Sequence, residues 1–283
     1  MSALKASLRA VTPPLLWHGA HLLKRRFNAP EEKLSQFEGP FTSWTQAVAQ
    51  SATWDAPEIT ELSLRSALAA KEGKVACEHD GVPFKDPLYS QTMLAFLLLA
   101  SRDGVLNIID FGGGLGSGYF QNARLLRLMS SPVQWHIVER PIFVKLGTEH
   151  FQNDTIRFYS SLGEAIRHSK SNSLIFSGSL QYVDEPFELI DEAGRSAIRI
   201  LAFDRTLTWE RSDDGIFLQR PDPKAHYRAT YACRCFSKER LTTRLAELGF
   251  ALVEEFTRDR PADFCRSGMI FVRDVTPVRA GAR

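Results

Sequence analysis

The segment from Asn107 to Tyr119 restricts the possible folds of this 283-residue chain more than any other. It reads N-I-I-D-F-G-G-G-L-G-S-G-Y, and positions 106–111 form a short apolar run interrupted by two polar residues. Such a run is typical of a strand that is buried on both faces of a parallel sheet. Five glycines follow within seven positions, and a helical pattern begins at Gln121. Strand, glycine turn and helix together predict the first half of a βαβ unit, in which glycines allow positive φ angles and the close approach of a ligand.

Three classes of ligand use a turn of this kind. A nucleoside triphosphate site needs a Gly-Lys-Ser/Thr end, and this turn has no lysine. A dinucleotide site needs G-x-G-x-x-G, and Ser117 stands where the last glycine is required. The spacing D-x-G-x-G-x-G at 110–116 resembles the first motif of class I S-adenosylmethionine-dependent methyltransferases. A turn that merely packs a helix closely on a strand is the remaining alternative.

The rest of the chain alternates between strand and helix patterns, as a Rossmann-like doubly wound α/β sheet requires. Seven strands are predicted, at 106–111, 133–138, 155–159, 173–176, 197–203, 250–256 and 268–272. The last two are expected to form an antiparallel pair, which is how class I methyltransferases end. A hairpin is predicted over 206–220, around Ser212–Gly215, and Ser237 is predicted to cap a helix that runs to Leu248.

Four regions are predicted along the chain. Residues 1–30 form a basic amphipathic arm without acids, residues 31–101 a helical extension, 102–273 the ligand-binding catalytic domain and 274–283 a flexible tail. The arm is expected to pack on its own domain or on a second subunit, as in a homodimer, or to lie on an anionic membrane surface. Within the extension, residues 77–85 are either a lid over the ligand or a solvated turn.

Composition narrows the functional classes. A net charge of +2 does not favour a nucleic-acid partner, and the four cysteines do not suggest a disulfide framework in a chain of this length. Their spacing also gives no zinc site, so no metal is expected. No apolar run has the length of a membrane span, roughly 18–20 residues. We therefore predict a cytoplasmic protein with reduced thiols.

The strongest candidate site residue outside the glycine turn is Glu139, which follows the second strand. A carboxylate at the end of that strand can accept hydrogen bonds from both ribose hydroxyls of an adenosine. The resemblance to class I methyltransferases implies that the loops after the third and fourth strands contact adenine and the methionine part of the same ligand. The predicted cofactor-binding residues are Asp110, Gly112, Gly113, Gly114, Gly116, Glu139, Tyr159, Ser160, Ser177, Gly178 and Leu180.

Methyl transfer to an oxygen needs a group that takes the proton of the acceptor. His226 is predicted as this base from its intrinsic pKa, and Asp204 as the residue that orients it or holds the acceptor. Tyr182 either shapes the methyl tunnel, or hydrogen-bonds the acceptor, or simply covers the helix after it. Glu78 and Asp80 are rival bases if the upstream segment closes over the site. The predicted substrate-binding residues are Glu78, Asp80, Arg205 and Tyr227.

Several further motifs resemble one narrower group. They are D-F-G-G-G-L-G-S at 110–117, W-T-Q-A at 44–47, E-H-D-G-V-P-F at 78–84, S-L-Q-Y-V-D-E-P at 179–186, F-D-R-T at 203–206 and H-Y-R-A-T-Y at 226–231. Over roughly residues 38–273 the chain is similar to a little-characterised bacterial group that is taken to be methyltransferases and is often associated with surface-polysaccharide genes. That group commonly has E-R-D where this chain has Glu78-His79-Asp80.

The sequence and the resemblance together predict a bacterial S-adenosylmethionine-dependent methyltransferase, with S-adenosylhomocysteine as the product of the cofactor. The resemblance alone implies that the acceptor is a hydroxyl on a sugar or glycan intermediate. Two alternatives remain at this point: a nicotinamide-dependent Rossmann-type oxidoreductase, and a non-catalytic protein that binds S-adenosylmethionine.

Overall fold

The computed structural model describes residues 37–52, 57–220, 229–259 and 264–273. The predictions for the arm 1–30, for residues 31–36, for His226 and Tyr227 and for the tail 274–283 therefore lie outside the described residues. Within the described ranges no helix is long and apolar enough to cross a membrane.

The described segments form twelve strands and eight α-helices. The strands are β1 (Phe37–Phe41), β2 (Cys77–His79), β3 (Val82–Phe84), β4 (Leu106–Phe111), β5 (Val133–Val138), β6 (Ile156–Tyr159), β7 (Ser173–Ser177), β8 (Ile200–Trp209), β9 (Gly215–Gln219), β10 (Tyr231–Ser237), β11 (Phe250–Asp259) and β12 (Cys265–Arg273). The helices are α1 (Trp44–Val48), α2 (Pro57–Lys71), α3 (Gln91–Ala100), α4 (Ser117–Leu126), α5 (Pro141–His150), α6 (Leu162–Ser169), α7 (Pro186–Gly194) and α8 (Lys238–Glu247).

The central sheet confirms the predicted doubly wound architecture. Strands β6, β5, β4, β7 and β8 lie side by side and are parallel. β12 runs antiparallel to β8, and β11 pairs antiparallel with β12, as predicted for the last two strands. The order of strands reverses at β4, so that the chain winds outward in both directions from the strand that precedes the glycine turn.

Helices cover both faces of this sheet, and successive residues of a strand point to opposite faces. Ile108 faces a core with side chains of α3, α4 and α5, while Ile109 faces a second core with side chains of α6, α7 and α8. Both residues are fully buried. This explains the almost continuous apolar run of the strand, which was the first signal in the sequence.

Three further strands extend the sheet beyond the predicted seven. β10 runs parallel to the end of β8, β9 pairs antiparallel with β10, and β1 pairs antiparallel with β9. The predicted hairpin over 206–220 is therefore wrong. β8 does not end at Asp204 but continues to Trp209. One edge of β8 pairs with β12, and the other edge pairs first with β7 and then with β10. No edge of β8 is therefore free to pair with β9.

Four helices begin at a serine cap, and one of these caps, Ser237, was predicted. Ser43, Ser90, Ser161 and Ser237 each accept a hydrogen bond from a backbone N–H of the first turn of the helix that follows, at 3.2–3.4 Å. Such caps satisfy an N–H group that has no partner within the helix. The segment 77–85 is a β-hairpin rather than a loop, formed by β2 and β3.

Helix α5 contains a glycine that we expect to be required by packing. A Cβ on Gly147 would lie 2.3 Å from the ring of Phe158. We expect Gly147→Ala to destabilise the fold by about 1–3 kcal/mol, because the overlap outweighs the gain in helix propensity of about 1 kcal/mol. Gly163→Ala in α6 is the matched control, since the nearest atoms to its Cβ would be the ends of two long, flexible side chains, Glu192 and Arg167. Urea unfolding of both variants measures the difference, and equal stabilities would contradict the argument.

Candidate functional site

A cavity of about 870 Å³ lies at the carboxyl ends of β4, β5, β7 and β8. Open α/β sheets bind ligands at this edge, beside the strand at which the order reverses. The walls are the glycine turn after β4, the residues that follow β5, β6 and β7, the middle of β8 and the tip of the β2–β3 hairpin.

The glycine turn has a backbone that only glycine adopts without strain. Gly112, Gly114 and Gly116 have φ angles of +70°, +59° and +101°. Gly113 is needed for a different reason, because its Cβ would lie 2.7 Å from the carboxylate of Asp110. Gly116 is the N-cap of α4 and is not among the residues that line the cavity, so its contribution is to the shape of the turn.

Asp110 lies beneath this turn with 1% of its surface exposed. Burial raises the pKa of its carboxyl group to about 6, although the indole of Trp135 donates a hydrogen bond to Oδ2 at 3.0 Å and stabilises the charged form. No hydrogen-bond partner among the described residues reaches Oδ1. The cavity wall therefore contains a buried acceptor atom that a ligand can satisfy.

Glu139 follows β5 directly and lies beside the glycine turn. Its Oε1 accepts a hydrogen bond from the backbone N–H of Gly114 at 3.2 Å, and Oε2 accepts one from the N–H of Arg140 at 2.9 Å. The two features that the sequence predicted to act together, the turn and the acid, are thus in contact.

The loop after β6 supplies Ser160 and Ser161 to the cavity. Ser161 caps α6, and the carboxylate of Glu164 accepts hydrogen bonds from the N–H and the hydroxyl of Ser160. Tyr159 does not line the cavity. Its hydroxyl meets Nδ1 of His136 at 3.1 Å, so the predicted contact of the Tyr159 side chain with a ligand is not supported by its position.

The loop after β7 packs tightly against the glycine turn. Gly178 has a φ of +68°, and the hydroxyl of Ser179 donates to the carbonyl of Phe111 at 2.6 Å. Tyr182 donates to Oε1 of Gln219 at 2.7 Å, and burial raises the pKa of its phenol. Leu180 is fully buried in the core and does not line the cavity, which is a correction to its predicted role.

A β-bulge in β8 directs two neighbouring side chains to the cavity. β12 pairs Met269 with Phe203 and Ser267 with Thr206, so both residues between them, Asp204 and Arg205, lie opposite Gly268. In a regular strand consecutive side chains point to opposite faces, whereas here Asp204 and Arg205 both line the cavity.

Asp204 is 4% exposed and is held from two sides. Its Oδ1 accepts a hydrogen bond from the hydroxyl of Ser90 at 2.8 Å, and its Oδ2 accepts one from the hydroxyl of Ser177 at 2.9 Å. Ser90 is also the cap of α3, so the start of that helix fixes the orientation of the carboxylate.

The tip of the β2–β3 hairpin forms the opposite wall. Asp80 and Gly81 both have positive φ angles, as a two-residue hairpin turn requires. Glu78 is buried, which raises its pKa to about 6, and it accepts hydrogen bonds from the Ser117 hydroxyl and the Gly81 N–H. The imidazole of His79 lies between Asp80, at 3.3 Å, and the guanidinium of Arg205. The tip of the hairpin thus lines the cavity, as the lid alternative for residues 77–85 requires.

Most of the predicted site residues thus line one cavity. They are Asp110, Gly112, Gly113, Gly114, Glu139, Ser160, Ser177, Gly178, Asp204, Tyr182, Glu78, Asp80 and Arg205. The sequence did not indicate His79, Ser90, Ser117, Gln181 or Gln219, which also line it. Only Ser90 had an available signal, as a serine directly before an apolar helix. In the described part of the chain no group of three or more His, Cys, Asp or Glu side chains is arranged to hold a metal ion.

Comparison with known proteins gives distant structural likenesses. No family model matches the chain, and no curated protein matches it. The N-terminal domain of EvdMO1 with bound S-adenosylhomocysteine is 17% identical, with 75% of this chain and 95% of that chain covered and a TM-score of 0.46. The CcbJ methyltransferase from Streptomyces caelestis is 15% identical (73% and 95% covered, TM-score 0.44). Magnesium protoporphyrin IX methyltransferase (ChlM) from Synechocystis with bound S-adenosylmethionine is 16% identical (64% and 76% covered, TM-score 0.42).

Proposed function

We propose that this protein is a class I S-adenosylmethionine-dependent methyltransferase that methylates a hydroxyl group of a sugar or glycan intermediate. The observation that supports it most is the contact between the glycine turn and Glu139 at the carboxyl ends of adjacent parallel strands. The sugar is supported by the resemblance of sequence motifs alone. The region 102–273 is then the catalytic domain, and the β2–β3 hairpin is the wall that covers the ligand.

The cavity fits the proposed cofactor in size and in charge. Its volume lies within the range of about 300–1,000 Å³ that is usual for small-molecule sites. Carboxylates outnumber guanidinium groups among its lining residues, which suits a ligand with a positive sulfonium. The carboxylates are Glu78, Asp80, Asp110, Glu139, Glu192 and Asp204, and the guanidinium groups are Arg140, Arg205 and Arg266. The unpartnered Oδ1 of Asp110 is an additional acceptor beneath the turn.

Each part of the site then has a role in binding. Glu139 accepts the ribose hydroxyls, and the bare backbone of Gly112–Gly114 leaves room for the methionine end. Ser160 lies on the side of adenine, and Ser177 and Gly178 lie beside the methionine part. The cofactor, when bound, supplies a methyl group on a sulfonium that is already a good leaving centre. What the chain must add is alignment of the acceptor and removal of its proton.

Asp204 is the described residue best arranged to take that proton. Its carboxylate is fixed by Ser90 and Ser177, and a carboxylate with two oxygens can accept more hydrogen bonds than these. A hydroxyl of the acceptor can therefore donate to it and transfer its proton as the new C–O bond forms. Tyr182, whose pKa is raised, stays protonated and acts as a hydrogen-bond donor rather than a base. The role of His226 remains a prediction.

Calorimetric titration of the purified chain tests the proposal. We expect micromolar binding of S-adenosylmethionine and S-adenosylhomocysteine and no binding of NADH. A second step incubates the protein with radiolabelled S-adenosylmethionine and a panel of sugars and sugar nucleotides, and labelled methyl is expected on an alkali-stable ether. Binding of NADH alone would instead identify the oxidoreductase. Cofactor binding without transfer to any member of the panel would favour the non-catalytic binder.

A further inference from the structure

Arg205 has a left-handed backbone conformation at the bulge of β8. Its φ is +55°, in the left-handed region that costs a non-glycine residue about 1–2 kcal/mol. Two other described residues share this feature, but Asp80 lies in a hairpin turn and Lys170 ends helix α6. Among the described residues with side chains, only Arg205 adopts it inside a strand. Strain of this kind persists where the surroundings impose it, and it is common at functional sites.

Three parts of the fold hold Arg205, two through its side chain and one through its backbone. Its Nη2 donates to the carbonyl of Ser177 at the end of β7, at 2.9 Å, and its Nη1 contacts the imidazole of His79 on the β2–β3 hairpin. Its own carbonyl accepts a hydrogen bond from Nε2 of Gln181 at 3.3 Å. Gly178 has no side chain in the space beside the guanidinium, where a Cβ would lie 3.2 Å from Nη2.

Three buried carboxylates line the same cavity as this guanidinium. Glu78, Asp110 and Asp204 have 3%, 1% and 4% of their surface exposed. Nε of Arg205 lies 3.7 Å from Oδ2 of Asp204. Burial raises the pKa of Glu78 and of Asp110 to about 6, and the charge of Arg205 acts against that rise in both. Buried carboxylates without a countercharge become protonated, and a protonated carboxyl group no longer attracts a cation.

We infer that Arg205 is a positioning residue that the β8 bulge directs into the cavity to keep the carboxylates of Glu78 and Asp110 ionised on its wall. Where the proposed function holds, these carboxylates are ready for a cationic cofactor without the protein having to release protons. This second part rests on the proposed function, whereas the electrostatic role of Arg205 does not.

The first test needs no ligand. In the wild type the pKa of Glu78 and of Asp110 is about 6 in the folded state and lower, about 4, in the unfolded chain. Protonation of these two groups therefore stabilises the folded state below pH 4, and this stabilisation is lost as the pH rises from about 4 to 6. Without the guanidinium both groups keep their protons to higher pH, so the stability of the folded state continues to fall above pH 6. The thermal midpoint of Arg205→Gln is therefore expected to fall further below that of the wild type between pH 5.5 and pH 8, by about 3–5 °C for each pKa unit of displacement.

Two matched variants isolate the charge. Arg205→Lys keeps a cation but loses the planar fork, and it is expected to restore most of the wild-type pH profile. His79→Gln removes the titrating neighbour of Arg205 and is expected to keep the wild-type profile. Other charged or titratable groups at the cavity enter both comparisons equally; they are Asp80, Glu139, Arg140, Tyr182, Glu192, Asp204 and Arg266. A gap between wild type and Arg205→Gln that is the same at every pH would reduce Arg205 to a merely structural contact and overturn the inference.

The second test compares two ligands that differ in one charge. The comparison is made at pH 6.5, where carboxyl groups with a pKa of about 6 are mostly ionised and those whose pKa rises by about one further unit are mostly protonated. Calorimetry at this pH is expected to show that Arg205→Gln weakens the binding of S-adenosylmethionine, which has the sulfonium, at least threefold more than the binding of S-adenosylhomocysteine, which lacks it. An equal loss of affinity for both ligands would overturn the inference that the ionised carboxylates favour the cationic cofactor. If the wild type binds neither, the proposed function fails while the ligand-free pH profile still decides the role of Arg205.

Discussion

Glu139→Ala is expected to lower the affinity for S-adenosylmethionine and for S-adenosylhomocysteine by about 100-fold each. The carboxylate lies at the end of β5 and is mostly buried, with 11% of its side chain exposed. Two charge-assisted hydrogen bonds to ribose hydroxyls contribute about 1.5–3 kcal/mol each, of which part is offset by the bonds that Glu139 already makes. A net loss of about 2.7 kcal/mol corresponds to the 100-fold change.

The two ligands make this prediction sharper, because they share the ribose and differ at sulfur. A contact to the ribose must weaken both by the same factor, so the ratio of their affinities is expected to stay at its wild-type value. Titration calorimetry at 25 °C measures both. A loss of affinity for S-adenosylmethionine alone would place the effect of Glu139 at the sulfonium and contradict the ribose assignment.

Two control variants separate the effect of the ribose contact from the effect of total charge in the cavity and from any change in the structure of the glycine turn. Glu139→Gln keeps an oxygen that can accept from the N–H of Gly114, so the glycine turn is expected to stay ordered while affinity falls about tenfold. Glu192→Ala removes another carboxylate of the cavity wall and is expected to change affinity by less than about threefold. A loss in Glu192→Ala equal to that in Glu139→Ala would indicate that only the total charge matters.

The sequence predicted those features of the fold whose causes are local. The strand before the glycine turn could be found because burial on both faces makes it almost continuously apolar, and the cap at Ser237 because a serine stands directly before a helical pattern. Glu139 could be found because it is the first acid after the second predicted strand. The parallel central sheet followed from the alternation of strand and helix patterns, and the antiparallel last pair from the resemblance to class I methyltransferases.

Features that depend on distant parts of the chain were missed. Nothing in F-D-R-T at 203–206 marks a bulge, because the bulge arises where β12 aligns Gly268 against β8. Gly268 is itself imposed by α3, since its Cβ would lie 1.8 Å from Oγ1 of Thr92. The pairing of β9 with β10 is equally non-local, because a strand pattern shows which residues are extended but not which edge is free.

The position of Tyr159 shows the limit of placing residues by their location at a strand end. The prediction used only its place after the third strand, yet a side chain at that place can point to either face of the sheet. In the structure its ring stacks on His168, with centroids 6.1 Å apart, and the next two residues, Ser160 and Ser161, reach the cavity instead.

Gly112→Ala is expected to cost about 2–5 kcal/mol of stability and to abolish measurable cofactor binding. Two effects add. The φ of +70° is strained by about 1–2 kcal/mol in any residue with a Cβ, and that Cβ would lie 2.4 Å from Cβ of Ser179. Ser179 cannot move aside freely, because its hydroxyl donates to the carbonyl of Phe111 and its neighbour Gly178 is itself in the left-handed region.

Gly104→Ala isolates the strain from the overlap. Gly104 has a φ of +84° in an exposed turn, and a Cβ there would meet no atom within 4 Å. Its substitution is therefore expected to cost only about 1–2 kcal/mol, from the backbone alone, with unchanged cofactor affinity. Thermal melts give the stabilities, and titrations of S-adenosylhomocysteine well below both midpoints give the affinities. If Gly112→Ala behaves like Gly104→Ala in both measurements, the glycine turn does not need its close contact with the loop after β7, and the two walls of the cavity are independent.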